Sequence, residues 1–397
     1  MNTFSPWPSF SEEEAEAVKT VLLSNRVNYW TGQECRLFER DFAAYIGVEY
    51  AVALANGTVA LDVAFRALNI LPGDEVIVTS RTFIASVSSI VNAGAVPVFA
   101  DVDVDSQNIT PETIAAVLSS QTKAIVCVHL SGWPCDMDPI MALAEKHDLY
   151  VIEDCAQAHG ARYKGRSVGS IGHIGAWSFC QDKIMTTGGE GGMVTTNDRE
   201  LWSKMWSFKD HGKSWDAIYE REHPHGFRWV HESFGTNWRM SEMQAVIGRI
   251  QLRRMSEWHQ ARLRYATEIW GAASQLKGLR VPSLRCSDCE RICKRKNGCE
   301  HAAYKCYVFV DGTEQDRDEI MAKINSNDVP CFSGSCSEVY LERAFDNTGF
   351  RPSKRLAIAK RLGETSLMFL CHPTLNQAEI DKTCAVLTEV VSQHFAS

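Results

Sequence analysis

From Tyr50 to about Val194 the chain alternates short β-branched apolar runs with stretches whose apolar residues recur every three to four positions. The runs Val52–Leu54, Glu75–Thr79, Val96–Ala100, Ala124–His129 and Leu149–Glu153 predict strands, and Thr58–Leu68, Ile84–Ala93, Pro111–Leu118 and Pro139–His147 predict the helices between them. Apolar strands without polar alternation, separated by helices, specify a mostly parallel sheet covered on both faces. The fold class is therefore α/β. Leu71-Pro72-Gly73-Asp74 and Asn92-Ala93-Gly94-Ala95 are turn signals where a helix hands over to a strand.

After Met240 a long helical pattern runs through Met243, Ile247 and Ile250 toward Ile269. Leu279 to Ala303 breaks it with clustered Cys, Lys, Arg and Asn; a strand (Tyr307–Val310), a helix (Asp316–Ile324), another short strand and a closing helix (Gln377–Phe395) follow. The expected division is a larger unit, residues 1–250 with an N-terminal arm over 1–30, and a smaller α+β unit, 251–397, with a Cys-rich insertion over 285–306.

Composition narrows the class. With 397 residues, 45 % hydrophobic and 23 % charged, the chain is an ordinary folded protein and not a disordered or fibrous one. Its net charge of −8 offers no general attraction to nucleic acid or an anionic membrane, so an anionic ligand must be held by local groups. Apolar runs such as Ala124–Leu130 stop far short of a bilayer span, and Met1–Glu14 turns acidic where a secretory leader would be apolar. The expectation is a cytoplasmic protein. Most of its 14 cysteines are then scattered thiols in a reducing compartment.

Three stretches carry candidate chemistry. Val151-Ile-Glu-Asp154-Cys-Ala-Gln157-Ala-His-Gly160 ends a strand with an acid, where open α/β sheets bind ligands, although Asp154 can equally cap the next turn. In Gly175-Ala-Trp-Ser178-Phe-Cys-Gln-Asp-Lys183, followed by Gly188-Gly-Glu-Gly-Gly192, a lysine lies among aromatic, hydroxyl and small residues. Such a lysine is either an exposed loop residue or a desolvated amine fit for Schiff-base chemistry, and the glycines favour close approach of a planar ligand. Leu54-Ala-Asn56-Gly57-Thr58 is a strand-turn-helix junction whose free N–H groups and Thr58 hydroxyl make either a phosphate seat or an ordinary cap.

Together these stretches, with Gly235-Thr-Asn-Trp-Arg-Met240, resemble the DegT/DnrJ/StrS family of sugar aminotransferases. The resemblance runs from Asn28-Tyr-Trp-Thr-Gly32 to Cys371-His-Pro373. It implies the aspartate-aminotransferase type of fold (fold type I) and pyridoxal 5'-phosphate as cofactor. Carried over residue by residue, it implies that Lys183 joins the cofactor aldehyde and shuttles the proton, and that Asp154 pairs with the pyridine nitrogen. Gln157 bonds the phenolic oxygen, Phe83 stacks on the ring, and Gly57, Thr58 and Ser178 hold the phosphate. Asn237 reaches in from a second subunit, so the resemblance implies a homodimer with a shared site.

The expected reaction is amino transfer from L-glutamate to a nucleotide-linked 4-keto-6-deoxy sugar. The leading candidate is UDP-4-keto-6-deoxy-N-acetylglucosamine at C4, on a bacillosamine-type route to surface polysaccharide. A GDP-perosamine-type reaction and amination of a dTDP-3-keto sugar are the alternatives. Lys209, His211, Phe332 and Ser333 are candidate substrate contacts. The family commonly has an aromatic residue or histidine a few places before the lysine, where this chain has Cys180, Gln181 and Asp182; the carboxylate of Asp182 favours the protonated amine unless it points away. The cluster Cys286-x2-Cys289-x3-Cys293-x5-Cys299-x6-Cys306 matches neither paired zinc pattern, so no metal is assigned. A rival of another class, a non-catalytic metal- or partner-binding protein, would use that cluster. A nicotinamide dehydrogenase is excluded because Gly188–Gly192 leads into a strand, where the dinucleotide fingerprint opens a helix.

Overall fold

In the computed structural model, which describes residues 4–283 and 298–396, the strands are β1 (Tyr50–Leu54), β2 (Glu75–Thr79), β3 (Val96–Ala100), β4 (Thr122–Val128), β5 (Tyr150–Asp154), the hairpin β6/β7 (Arg162–Tyr163 and Arg166–Ser167), β8 (Ile174–Ser178) and β9 (Gly192–Thr196). Seven form one sheet in the order β1-β9-β8-β5-β4-β2-β3. Only β9 runs antiparallel to its neighbours β1 and β8; the other pairings are parallel. The apolar runs are strands because both faces are covered: Val76, Ile77, Val78, Ala124, Ile125, Val126, Val151 and Ile152 are all inaccessible to solvent.

The helices begin where the chain supplies caps. The Asn56 side chain accepts the Val59 N–H (3.0 Å) at the start of helix Gly57–Ala67, and Ser241 caps helix Glu242–Ala273 in a capping box with Gln244. The helix expected from Pro139 starts at Met137, because a proline in the first turn gives up no intrahelical hydrogen bond.

A second sheet, β10 (Leu279–Arg280), β11 (Cys306–Val310), β12 (Cys331–Phe332) and β13 (Ser366–Phe369), is antiparallel in the order β10-β11-β13-β12. Helix Glu242–Ala273 crosses the expected boundary near residue 250 without a break. Its first part packs on helices Glu12–Leu23 and Glu34–Ile46, and Tyr265, Ala266, Ile269 and Ala273 enter the core of the second sheet. No helix among the described residues is long and apolar enough to cross a membrane.

Candidate active site

A cavity of about 1000 Å3 opens where the parallel strands end. Asn56, Gly57 and Thr58 follow β1, Thr82 and Phe83 follow β2, and Asp154 and Ser178 close β5 and β8. Tyr304, Lys305, Phe332 and Gly334 to Cys336 supply the opposite wall from the second sheet and its loops.

Gly57 and Thr58 open a helix, so their N–H groups have no intrahelical acceptor. A side chain at Gly57 would sit 2.5 Å from Ser178 Cβ; glycine is required because the two strand ends converge. Free N–H groups at a helix N-terminus are able to hold an anion.

Asp154 is nearly buried, yet both its oxygens are engaged: Ser86 Oγ donates at 2.7 Å and the Ala156 N–H at 3.1 Å. Ser86 Oγ lies 2.8 Å from Thr82 Oγ1, one helical turn earlier. Gln157 Oε1 accepts the Ser131 N–H (2.8 Å), which leaves the amide NH2 to donate into the cavity. Phe83 is 68 % exposed on the cavity wall and so does not belong to the hydrophobic core.

Lys183 stands in the loop between β8 and β9. Phe179 and Gly191 close that loop with a backbone bond of 2.8 Å, the Thr186 N–H donates to Gln251 Oε1 (2.8 Å), and Gln251 Nε2 donates to Glu14 (2.8 Å). The Lys183 carbonyl accepts Trp7 Nε1–H at 2.8 Å, so the N-terminal arm clamps the loop from outside. The lysine ammonium is 3.5 Å from Asp182 Oδ1 and 5.3 Å from the centre of the Tyr304 ring. Asp182 thus faces the cavity and accepts the Tyr304 hydroxyl at 2.5 Å. Burial works to raise the Asp182 carboxyl, but the Lys183 charge and the Tyr304 hydrogen bond outweigh it and hold it below its ordinary value.

Beneath the site, Glu153 accepts N–H groups from Gly169, Ile171 and Gly172 and meets His129 Nε2 at 2.9 Å. His129 Nδ1 accepts the Cys135 N–H, so Nε2 carries the proton and donates to Glu153. The neighbouring trio His129, Glu153 and Cys155 therefore has no histidine lone pair left for a metal. His159 is sandwiched against Trp177 and Phe179, and burial, reinforced by the Lys183 charge, drives its pKa down to about 3.

Several expected site residues lie elsewhere. Lys209 is fully buried, its ammonium 3.7 Å from the centre of the Tyr29 ring and 3.8 Å from Asp210 Oδ2, because the end of helix Arg199–Phe208 tucks it under Tyr29 and Trp206. Burial lowers its pKa to about 8, and it does not meet a ligand in the cavity. His211 is exposed at a positive φ of 62°, and Ser333 is exposed with its carbonyl accepting Ser366 Oγ–H (2.8 Å); neither lines the cavity, whereas Phe332 does. Asn237 is exposed and outside its own chain's cavity. Of the cysteine cluster, Cys286, Cys289 and Cys293 lie outside the described residues, while Cys299 and Cys306 are buried.

Reading the sequence overlooked Ser86, Tyr304 and Lys305. Ser86 had a signal, one turn after Thr82 in the Arg81–Ser86 string; Tyr304 and Lys305 had none, because they follow an irregular stretch.

A family model described as the DegT/DnrJ/EryC1/StrS aminotransferase family matches residues 8–388. A GDP-perosamine synthase of Caulobacter vibrioides is 37 % identical over 359 residues, covering 89 % of each chain. A UDP-N-acetyl-3-dehydro-alpha-D-glucosamine 3-aminotransferase of Acidithiobacillus ferrooxidans is 44 % identical over 249 residues, 62 % of this chain and 64 % of that one. The crystal structure of an aminotransferase from Psychrobacter cryohalolentis is 63 % identical, covering 99 % of this chain and all of that one, with a TM-score of 0.94.

Proposed function

The chain belongs to the DegT/DnrJ/EryC1/StrS aminotransferase family, a family of pyridoxal-phosphate enzymes, and from that membership we propose that it moves the amino group of L-glutamate to C4 of UDP-4-keto-6-deoxy-N-acetylglucosamine. The observation that carries the reading is that Lys183, Asp154, Phe83 and the open helix start at Gly57 all face one cleft.

The residues present fit the cofactor. Gly57, Thr58 and Ser178 would hold its phosphate, Phe83 its ring face, Gln157 its phenolic oxygen and Asp154 its pyridine nitrogen. When bound, pyridoxal phosphate supplies an aldehyde that receives amines and a ring that withdraws electrons from the neighbouring carbon. The chain does the rest. Asp154, oriented by hydrogen bonds from Ser86 Oγ and the Ala156 N–H, would face the ring nitrogen and favour its protonated form. Lys183 Nζ would carry the proton from the donor's amino-bearing carbon to the cofactor's aldehyde carbon, and Asp182, 3.5 Å away, would pair with the ammonium formed in between. Tyr304 fixes Asp182 in that position.

We read the enzyme as a homodimer, because Asn237 lies beside an exposed apolar segment: Phe227, Trp229 and Phe234 are 76, 79 and 100 % exposed. A monomer found by sedimentation at working concentration would remove that reading. For the substrate, a screen of UDP-, GDP- and dTDP-linked keto sugars with glutamate, followed by mass spectrometry and NMR of the product, reads base and ring position together. Of the two relatives named for a sugar substrate, the GDP-perosamine synthase is matched over the larger share of both chains, which makes the GDP-perosamine-type reaction the second reading. An aminated product from a GDP sugar alone would replace the UDP assignment.

A further inference from the structure

Among the described residues, five charged side chains line the cleft: Asp154, Asp182, Glu190, Lys183 and Lys305. Asp154 is engaged by Ser86 and Ala156, and Asp182 by Tyr304 and Lys183. Lys305 is different. Among the described residues its ammonium has no hydrogen-bond acceptor and no carboxylate at ion-pair distance, and it stands 4.8 Å from the centre of the Tyr304 ring. Burial lowers its pKa, with the Asp182 charge opposing.

The position of Lys305 is built. Its carbonyl accepts Ser131 Oγ–H (2.7 Å), and the Ser131 carbonyl accepts the Tyr304 N–H (3.0 Å). Ser131 does this at a φ of 61°, and a side chain at the adjacent Gly132 would meet Ala302 Cβ at 2.8 Å. The segment carrying Lys305 is thereby sealed to the end of β4. Behind it Arg262 is buried, and among the described residues its Nε and one terminal nitrogen have no hydrogen-bond partner and no carboxylate pairs with it, so its positive charge adds to that of Lys305.

We propose that Lys305 binds a carboxylate of the dicarboxylic amino donor and so positions the donor's amino-bearing carbon at Lys183; the assignment rests on the aminotransferase reading above. Lys183 and Lys305 flank the same Tyr304 ring, at 5.3 and 4.8 Å from its centre, so a ligand anion at Lys305 lies close to the reacting atoms. The donor's α-carboxylate is bonded to the reacting carbon itself. The diphosphate of the sugar substrate is held away from its keto carbon by the width of a pyranose ring. The donor therefore fits, and a charge-assisted hydrogen bond to a partly desolvated ammonium supplies the affinity.

The test uses the yellow holoenzyme without sugar. Titration with L-glutamate gives the concentration for half-maximal bleaching, which Lys305→Met should raise about tenfold or more and Lys305→Arg should largely restore. Glutarate, an unreactive dicarboxylate, should weaken in parallel while UDP keeps its affinity within twofold. In the unmodified enzyme glutarate should also protect Lys305 from acetylation, scored by peptide mass spectrometry, a measurement independent of how the variants fold. An unchanged half-saturation, a loss that falls on UDP in place of glutarate, or no protection overturns the assignment. If the parent enzyme bleaches normally and the variant follows it, only Lys305 loses its role; a parent that ignores glutamate takes the donor reading down as well.

Discussion

On one side of the cleft, Asn56 to Thr58, Phe83, Asp154, Gln157 and Ser178 stand at or just beyond the ends of strands whose register fixes them, so each is placed by its own segment and one neighbouring strand. On the other side, Tyr304 and Lys305 reach the cleft only because Ser131, 174 positions before Lys305, ties their backbone down. Lys183 lies between the two regimes: its loop leaves the end of β8, but Trp7, Gln251 and Glu14 hold it from far away in the chain. The difference teaches where function is robust. The strand-end wall inherits the rigidity of a buried parallel sheet, and the opposite wall depends on a few cross-chain hydrogen bonds worth about 1 kcal/mol each.

Perturbing the strand-end side and the residue poised between the walls should separate these regimes. Lys183→Ala should lower turnover by about 10³-fold or more while cofactor is still retained by the strand-end residues, checked by steady-state rates and cofactor content after gel filtration. Near-normal turnover would remove Lys183 from its role, and loss of cofactor would mean that the strand-end wall does not bind it alone. Ser86→Ala removes one of two donors to Asp154 and should cost about tenfold in kcat, with KM for glutamate within twofold. A change confined to KM would show that Ser86 acts on substrate binding and not through Asp154.

The smallest effect expected is on stability. His159 has a folded pKa of about 3 against an ordinary 6.5, so below pH 6.5 the unfolded chain takes up a proton that the native state refuses, and stability is lost as pH falls. His159→Phe fills the same aromatic sandwich without that penalty. Relative to the parent it should gain about 1 kcal/mol on going from pH 7.5 to 5.5, measured by denaturant unfolding. A pH-independent difference would mean that His159 is not the group that binds the proton.

The sheet was legible because buried parallel strands must be continuously apolar, and the chain writes that pattern locally in Glu75–Thr79, Thr122–Val128 and Tyr150–Asp154. The strand-end candidates were legible for the same reason: a motif that ends a strand also marks one rim of the sheet. Phe83 shows the limit, since only its exposure on the cavity separates a ligand-facing ring from a core one. Lys209 shows the error that follows, because nothing in Phe208-Lys-Asp-His-Gly212 indicates that Tyr29, 180 positions earlier, lies over its ammonium.

The amino-acid sequence by itself determined the α/β class and, through the family motifs, named Lys183 and Asp154 as candidates, since periodicity and motif act over a few residues and need no distant partner. The tertiary structure alone decided that Asp182 faces the lysine, that Ser86 supports Asp154, that Lys209 is buried and that Lys305 closes the cleft. Those outcomes depend on which distant segments exclude water from one another, and that quantity is set by packing and not by neighbours in the chain.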